Sequence, residues 1–243
     1  IKPISDSWMF YSDDPQAEQI FNHIQNLLNQ DKIHSTFHLK NPCISRWTKS
    51  VYTQAFQKIQ DYIVAGDCYQ NTLTQEFKGR AQGSLLATAQ AFWTLTEAPY
   101  AGYLRIGDFE LLSCSPELFI DFEKNRKIIT KPIKGTMPRY TDPVLDEQSK
   151  QTLKASEKDQ AENVMIVDLL RNDLSVYAET GSVKTPKLFN IESFNQVHHM
   201  VSEVNATLKA EMNPFAVLMS ALPGGSITGA PKIRAMQIID ELE

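Results

Sequence analysis

Lys131-Pro132-Ile133-Lys134-Gly135-Thr136-Met137-Pro138-Arg139 ends a β-rich run that starts at Leu118-Phe119-Ile120 and continues through Arg126-Lys127-Ile128-Ile129-Thr130. Strand alternation puts Ile128, Thr130, Pro132 and Lys134 on one side. Pro132 cannot donate to a ladder, so it marks a strand end or edge. Gly135 permits a backbone shape and a close approach that other residues forbid. Lys134 is therefore displayed where a strand opens into a turn. An amine in that position is a nucleophile if desolvation or a neighbouring cation lowers its pKa. A solvated strand-end lysine is the plainer reading.

On the C-terminal side of this stretch, Asp142-Pro143 opens a helix to about residue 155. Ser156-Glu157-Lys158-Asp159 is a capping-box-like start for the next helix, over 160–174. Ala161, Val164, Met165, Ile166, Val167, Leu169 and Leu170 go almost all the way round that helix, which predicts a buried one. It also carries Glu162, Asn163, Asp168, Arg171, Asn172 and Asp173, and buried acids need partners. Asp159 and Glu162 are three apart on one face, a spacing that lets two carboxylates approach one hard cation such as Mg²⁺. Alternatively, Asp159 only caps the helix and Glu162 pairs with a Lys or Arg. Residues 181–188 read as turn and strand. Over 197–206, His199, Val201 and Glu203 share one strand face and His198, Met200, Ser202 and Val204 the other. A strand histidine reads first as a satisfied core residue. After a helix over 214–222, Pro223-Gly224-Gly225-Ser226-Ile227-Thr228-Gly229-Ala230-Pro231-Lys232 leads into a helix with an Ile233, Met236, Ile239, Leu242 stripe. A glycine-rich loop before a helix N-terminus is either an anion site or a tight turn. It lacks the Gly-Lys-Ser/Thr ending of a P-loop.

On the N-terminal side, a helix is expected over 13–30, capped by Asp13 or Asp14 with Pro15 in its first turn. A polar connection over 31–47 follows. His23, His34 and His38 read as solvated or core-edge residues. A second helix, over 48–65, takes Thr48 or Ser50 as cap and Gly66 as stop. Residues 67–77 alternate like a strand, with Cys68, Gln70, Thr72, Thr74 and Glu76 on a wholly polar face that needs solvent or a polar cavity. A helix over 83–96 precedes a strand pair around Gly107-Asp108. Ser115-Pro116-Glu117 then enters the strand leading to Lys134. Glu117 reads as a solvated edge residue unless an apolar pocket surrounds it.

With 42% hydrophobic and 22% charged residues among 243, the composition is that of a globular domain or two. A net charge of −5 gives no reason to expect nucleic acid or an anionic membrane as partner. No apolar run reaches transmembrane length. Cys43, Cys68 and Cys114 are odd in number and far apart, which argues against a disulfide framework or zinc and for a reducing, cytoplasmic setting. The chain begins at Ile1, so an N-terminal signal is not excluded.

Six of these blocks, taken in order, resemble the chorismate-utilising enzymes: Gly66-Asp67-Cys68-Tyr69-Gln70, Ser115-Pro116-Glu117, Pro132-Ile133-Lys134-Gly135-Thr136, Lys158-Asp159-Gln160-Ala161-Glu162-Asn163 with Asp168 to Asp173, His198-His199-Met200-Val201-Ser202, and Pro223 to Lys232. They cover residues 50–243. The resemblance implies an α+β fold, two facing antiparallel β-sheets flanked by helices, incomplete at both ends. Residues 1–47 would be a remnant of an N-terminal region with one helix. Residues 48–243 would be a chorismate-binding catalytic domain without its C-terminal strands, inactive as an isolated piece. Lysine at 134 is similar to the members that aminate chorismate at C4, whereas anthranilate synthases usually carry alanine there. The implied reaction converts chorismate and ammonia, released from glutamine by a partner amidotransferase, to 4-amino-4-deoxychorismate for p-aminobenzoate and folate.

The roles implied by the resemblance are Lys134 as nucleophile, Glu117 as general acid and His199 beside the leaving hydroxyl or a carboxylate. Gly135, Thr136, Thr228 and Gly229 would receive substrate oxygens through their backbones. Gln70 would replace the lysine base of isochorismate synthases. Glu162, with Asp159 at longer range, would hold Mg²⁺. Asn71-Thr72 departs from the apolar-Asn pair usual there. One extra residue separates Glu117 from Lys134, placed at a longer hairpin over Glu123-Lys124-Asn125. Anthranilate synthesis and a non-catalytic module that binds chorismate or an aromatic amino acid are the alternatives.

Overall fold

The computed structural model describes residues 10–29 and 36–243, in two compact units, Ile1–Thr36 and Phe37–Glu243. In the first, α1 spans Ala17–Leu28. Asp14 turns the chain ahead of it, its Oδ1 accepting from Gln16 N at 2.7 Å and its carbonyl from Ala17 N at 2.9 Å. The helix therefore starts after Pro15 and not at residue 13. Of the three histidines expected in this part of the chain, His23 and His38 are exposed and His34 lies outside the described residues.

The larger unit opens with β1 (Phe37–Leu39) and β2 (Ile44–Ser45), then α2 (Lys49–Val64). Thr48 caps α2 by accepting from Val51 N at 3.3 Å, and Gly66, at φ +81°, turns the chain after it. The strand expected over 67–77 resolves into two short pieces, β3 (Gln70–Asn71) and β4 (Phe77–Lys78). Between them the backbone is engaged elsewhere: Thr72 N donates to Thr228 O at 2.9 Å and Thr74 N to the Glu243 carboxylate at 2.6 Å. β5 (Ala81–Gly83) pairs with β1 and β4 pairs with β2, so residues 37–47 join the larger unit and not the N-terminal helix.

Next come α3 (Leu86–Thr96) and the hairpin β6 (Tyr100–Ile106) and β7 (Phe109–Ser115). Trp93 Nε1 donates to Ser113 O at 3.2 Å and ties helix to hairpin. β8 (Leu118–Phe122) turns through Lys124–Arg126 into β9 (Lys127–Lys131), and β10 (Ile133–Pro138) follows. The helices α4 (Pro143–Ala155) and α5 (Glu157–Ser175) start at Asp142 and Ser156, whose side chains accept from the first-turn N–H groups. β11 (Lys184–Ser193) and β12 (Val197–Thr207) complete a five-stranded antiparallel sheet.

β12 is the middle of that sheet. One of its edges carries β9 and β10 end to end, with Thr130 opposite Val204 and Ile133 opposite Val201. Pro132 sits at the joint, and its carbonyl accepts from Ser202 N at 3.1 Å. Proline thus marks a break in a strand that continues, because only its N–H is missing. Ile128, Val204 and Ala206 of the sheet pack on Val167 and Leu174 of α5. The helix is buried on one face only: Asn163, Ile166, Val167, Leu170 and Leu174 are inside, but Val164 is 45% exposed and Asp168 pairs with Arg171 at the surface. The apolar residues spread round it are short of a second layer among the described residues.

The chain ends with α6 (Pro214–Ala221), the single turn α7 (Gly225–Thr228), β13 (Gly229–Ala230) paired with β3, and α8 (Lys232–Leu242). Ile238 of α8 packs with Ile59 and Cys68. The architecture is α+β. Among the described residues its strands form one five-stranded sheet and four two-stranded ladders. Cys43, Cys68 and Cys114 are free thiols.

Candidate active site

The sheet places Lys134 next to the first turns of α5. Its Nζ lies 3.7 Å from Glu162 Oε1 and donates to Ser226 O at 3.4 Å, and the side chain is 15% exposed. In a regular strand Lys134 and Thr136 would share a face. The register shifts between Ile133 and Thr136, where Gly135 adopts φ +92°, and the two side chains part. Lys134 turns to α5, while Thr136 meets its cross-strand partner His199, Oγ1 to Nδ1 at 2.9 Å. A Cβ on Gly135 would come within 2.9 Å of Asp159 Cβ. Consecutive strand residues thus abut two carboxylates one helical turn apart. Gln70 Nε2 also donates to Glu162 Oε1, at 3.2 Å, and Gln70 Oε1 is buried without a partner among the described residues.

The glycine-rich loop closes this cluster from the other side. Ser226 Oγ donates to Glu117 Oε1 at 2.5 Å, and Ile133 N approaches the same oxygen at 3.5 Å. Glu117 borders a cavity of about 240 Å³ lined mainly by apolar groups, among them Phe119, Leu170 and Ile227. Ser226 therefore joins the acid through its hydroxyl and the lysine through its carbonyl. Its place beside two glycines was visible in the sequence, but nothing there assigned it a partner. Thr228 is buried, and its hydroxyl donates to Gly224 O at 3.1 Å. Gly229 spends its N–H on Gly225 O and pairs with Asn71. In this structure, then, Gly229 contributes close backbone approach, and its own N–H is already used.

His198 and His199 point to opposite faces, as alternation requires. His199 packs edge-on against Phe194 at 5.4 Å between ring centroids. Burial lowers its pKa, and the Gly135 backbone and Glu192 only partly counter this, so the site favours the neutral ring. His198 is fully buried, with Ser193 Oγ at 2.8 Å from Nδ1 and Asp146 Oδ1 at 3.1 Å from Nε2. Asp146 also accepts from Arg139 Nε at 2.8 Å and Tyr140 N at 2.9 Å. Arg139 first, then the Tyr140 N–H, hold its carboxyl down to about 2. A carboxyl bound more weakly by protons in the folded state stabilises the fold above its ordinary value of 3.8, and the stabilisation is lost as pH falls through about 2. Asp146→Asn is expected to lower the melting temperature at neutral pH, and the gap from the parent should shrink between pH 3.8 and about 2. A gap that stays constant across an acid melting series would refute the linkage.

Among the described residues, no group of three or more His, Cys, Asp or Glu is placed to hold a metal. The pair Asp159 and Glu162 still suits a hard cation in type. Glu162 Oε1 takes both of the polar contacts above, and its other oxygen takes none among the described residues. Mg²⁺ is commonly held by one or two carboxylates with water completing the shell. The donors present fit that share of a site.

The chorismate binding enzyme family model matches residues 6–243, and the chain belongs to that family. It is 43% identical over 235 residues to aminodeoxychorismate synthase component 1 of Klebsiella aerogenes, covering 97% of this chain and 51% of that protein. To anthranilate synthase component 1 of Bacillus subtilis it is 37% identical over 233 residues, covering 93% and 45%. The crystal structure of anthranilate synthase component I from Streptococcus pneumoniae TIGR4 superposes with a TM-score of 0.81 at 27% identity, over 96% of this chain and 52% of that one. The chain spans about half the length of the curated relatives it matches.

Proposed function

We propose that this chain carries the catalytic residues of an aminodeoxychorismate synthase component 1, which aminates chorismate at C4 on the way to p-aminobenzoate and folate. Ammonia would come from glutamine through a partner amidotransferase, in the cytoplasm. The observation that carries this reading is Lys134, mostly out of solvent, 3.7 Å from Glu162 and joined through Ser226 to Glu117. The higher identity to a protein named for that reaction than to an anthranilate synthase supports it.

In this reading the Lys134 amine bonds to C2, the C1=C2 and C5=C6 double bonds shift to C6=C1 and C4=C5, and the C4–O bond breaks; the second step reverses these shifts. Glu117 gives its proton to the departing hydroxyl, which leaves as water. Ammonia then bonds to C4 as the lysine C–N bond breaks, and the surplus proton returns to Glu117. Chorismate and ammonia become aminodeoxychorismate and water. Splitting one displacement into two lowers each barrier. His199 would face the leaving hydroxyl or a carboxylate with Thr136 holding its ring. Gln70 cannot deprotonate water, which favours ammonia as nucleophile. Mg²⁺, held by Glu162 with Asp159 and water, would bind a substrate carboxylate and offset its charge. Among the described residues these two carboxylates are the ligands offered, and no turnover is expected of residues 1–243 in isolation.

A full-length protein containing residues 1–243, given chorismate, Mg²⁺ and an ammonium salt, should form aminodeoxychorismate. Fluorescent anthranilate as the main product would replace this reading with the anthranilate one, and binding without product would leave a binding module. Glu162→Gln is expected to weaken Mg²⁺ binding by at least roughly tenfold in a calorimetric titration, since even outer-shell changes have effects of that order. Unchanged Mg²⁺ affinity would remove Glu162 from the metal site.

A further inference from the structure

The loop that carries Ser226 leaves α6 after Ala221 and returns at Lys232. Lys232 Nζ donates to Ala221 O at 3.2 Å and to Asp173 Oδ2 at 3.4 Å. One ammonium therefore ties both ends of the loop to each other and to the last turns of α5. We propose that Lys232 and Asp173 are positioning residues, a clasp at the base of this loop that sets where Ser226 stands between Glu117 and Lys134. The inference rests on the function proposed above, since it gives the clasp a catalytic consequence.

The loop between those ends has little slack. A Cβ on Gly225 would fall 2.3 Å from Leu169 Cδ2 of α5, and one on Gly224 would fall 2.8 Å from Phe119 Cε2 of β8. Thr228 Oγ1 bonds back to Gly224 O, and Thr228 O accepts from Thr72 N. A shift at the base is therefore passed on to Ser226 and is not absorbed on the way. The clasp is also mostly out of water: its side chains are 20% and 23% exposed, and burial pushes the Asp173 carboxyl up while Lys232 opposes this. A half-buried pair of this kind leaves a costly unpaired charge when one partner is removed, unlike a surface pair. Neither residue touches Glu117 or Lys134, so its effect is on their geometry, and misplacement of about 1 Å costs on the order of a hundredfold in rate.

The test compares steady-state amination of chorismate, with Mg²⁺ and ammonium, by the full-length protein containing residues 1–243 and by its variants. Lys232→Met should lower kcat by roughly tenfold to a hundredfold, with the chorismate KM changed by no more than about threefold. Lys232→Arg, which keeps a positive charge and several N–H donors at this position, should restore most of kcat. A Lys232→Met protein with kcat within about twofold of the parent, or a loss that Arg does not rescue, overturns the clasp. If Lys232→Met does not fold, Asp173→Asn decides. It keeps the bond to Ala221 O and the side-chain shape, and an unchanged kcat there overturns the inference. Lys134→Ala is run alongside. If it is inactive while Lys232→Met is normal, only the clasp fails. If Lys134→Ala is fully active, the proposed function fails and the clasp loses its role with it.

Discussion

Replacing Lys134 by alanine is expected to lower C4 amination of chorismate by at least on the order of 10³-fold, because it removes the group that forms the covalent bond. The fold should survive the change. Lys134 is paired to Glu162 across 3.7 Å, and Glu162, at 33% side-chain exposure, keeps water and Gln70 as partners when the lysine is gone. With that exposure water can take the lysine's place, and the cost to stability should be small beside the loss of the nucleophile. The loss would therefore be chemical, and circular dichroism and melting should match the parent. Product would be followed by chromatography at saturating chorismate and ammonium. Full-speed formation of aminodeoxychorismate by the alanine variant would remove the nucleophile from this lysine, and with it the main support for the proposed function.

The second large effect is expected at Gly229. Its φ of +143° is a conformation that side chains rarely adopt, and an added Cβ would lie 2.2 Å from the Gln70 carbonyl oxygen and 3.0 Å from Ala235 Cβ. The obstacle is backbone, so no rotamer change relieves it. Gly229 is also the residue whose pairing with Asn71 fastens β13 to β3, the strand that carries Gln70 to Glu162. Strain at such a φ costs roughly 1–3 kcal/mol by itself, and the clash adds to it. Gly229→Ala should therefore lower stability by about 3 kcal/mol or more, read as a shift of the urea midpoint at constant slope. Gly102→Ala is the matched control. It has nothing within 4 Å of its added Cβ, and its effect should stay within about 0.5 kcal/mol. Equal midpoints for the two variants would contradict the close approach at Gly229.

The parts of the fold that were legible beforehand are those with a short-range cause. Asp142, Ser156 and Thr48 begin helices because a side-chain oxygen meets N–H groups two or three residues on. The two faces of β12 follow from alternation alone, and His198 and His199 separate as expected. The reading of residues 67–77 as one strand missed for the converse reason. Their alternation is real, but Thr72 and Thr74 take distant partners, Thr228 and Glu243. For α5, a near-continuous apolar surface predicts burial on all sides. The structure buries one face, because burial depends on what packs against the helix and not on the helix alone.

The candidate site divides in the same way. Lys134 before Gly135, Asp159 and Glu162 on one helical face, and the Pro223 to Lys232 loop were each identified from the chain, with the resemblance supplying their roles. That Lys134 faces Glu162, that Ser226 stands 109 residues from the acid it holds, and that Lys232 clasps Asp173 could be learned only from the folded molecule. Caps, alternation and turn glycines arise from dihedral angles and hydrogen bonds within a few residues, so a linear sequence contains them. Contacts between distant segments arise from how sheet and helices pack, and here a register shift at Gly135 decides which way the lysine turns.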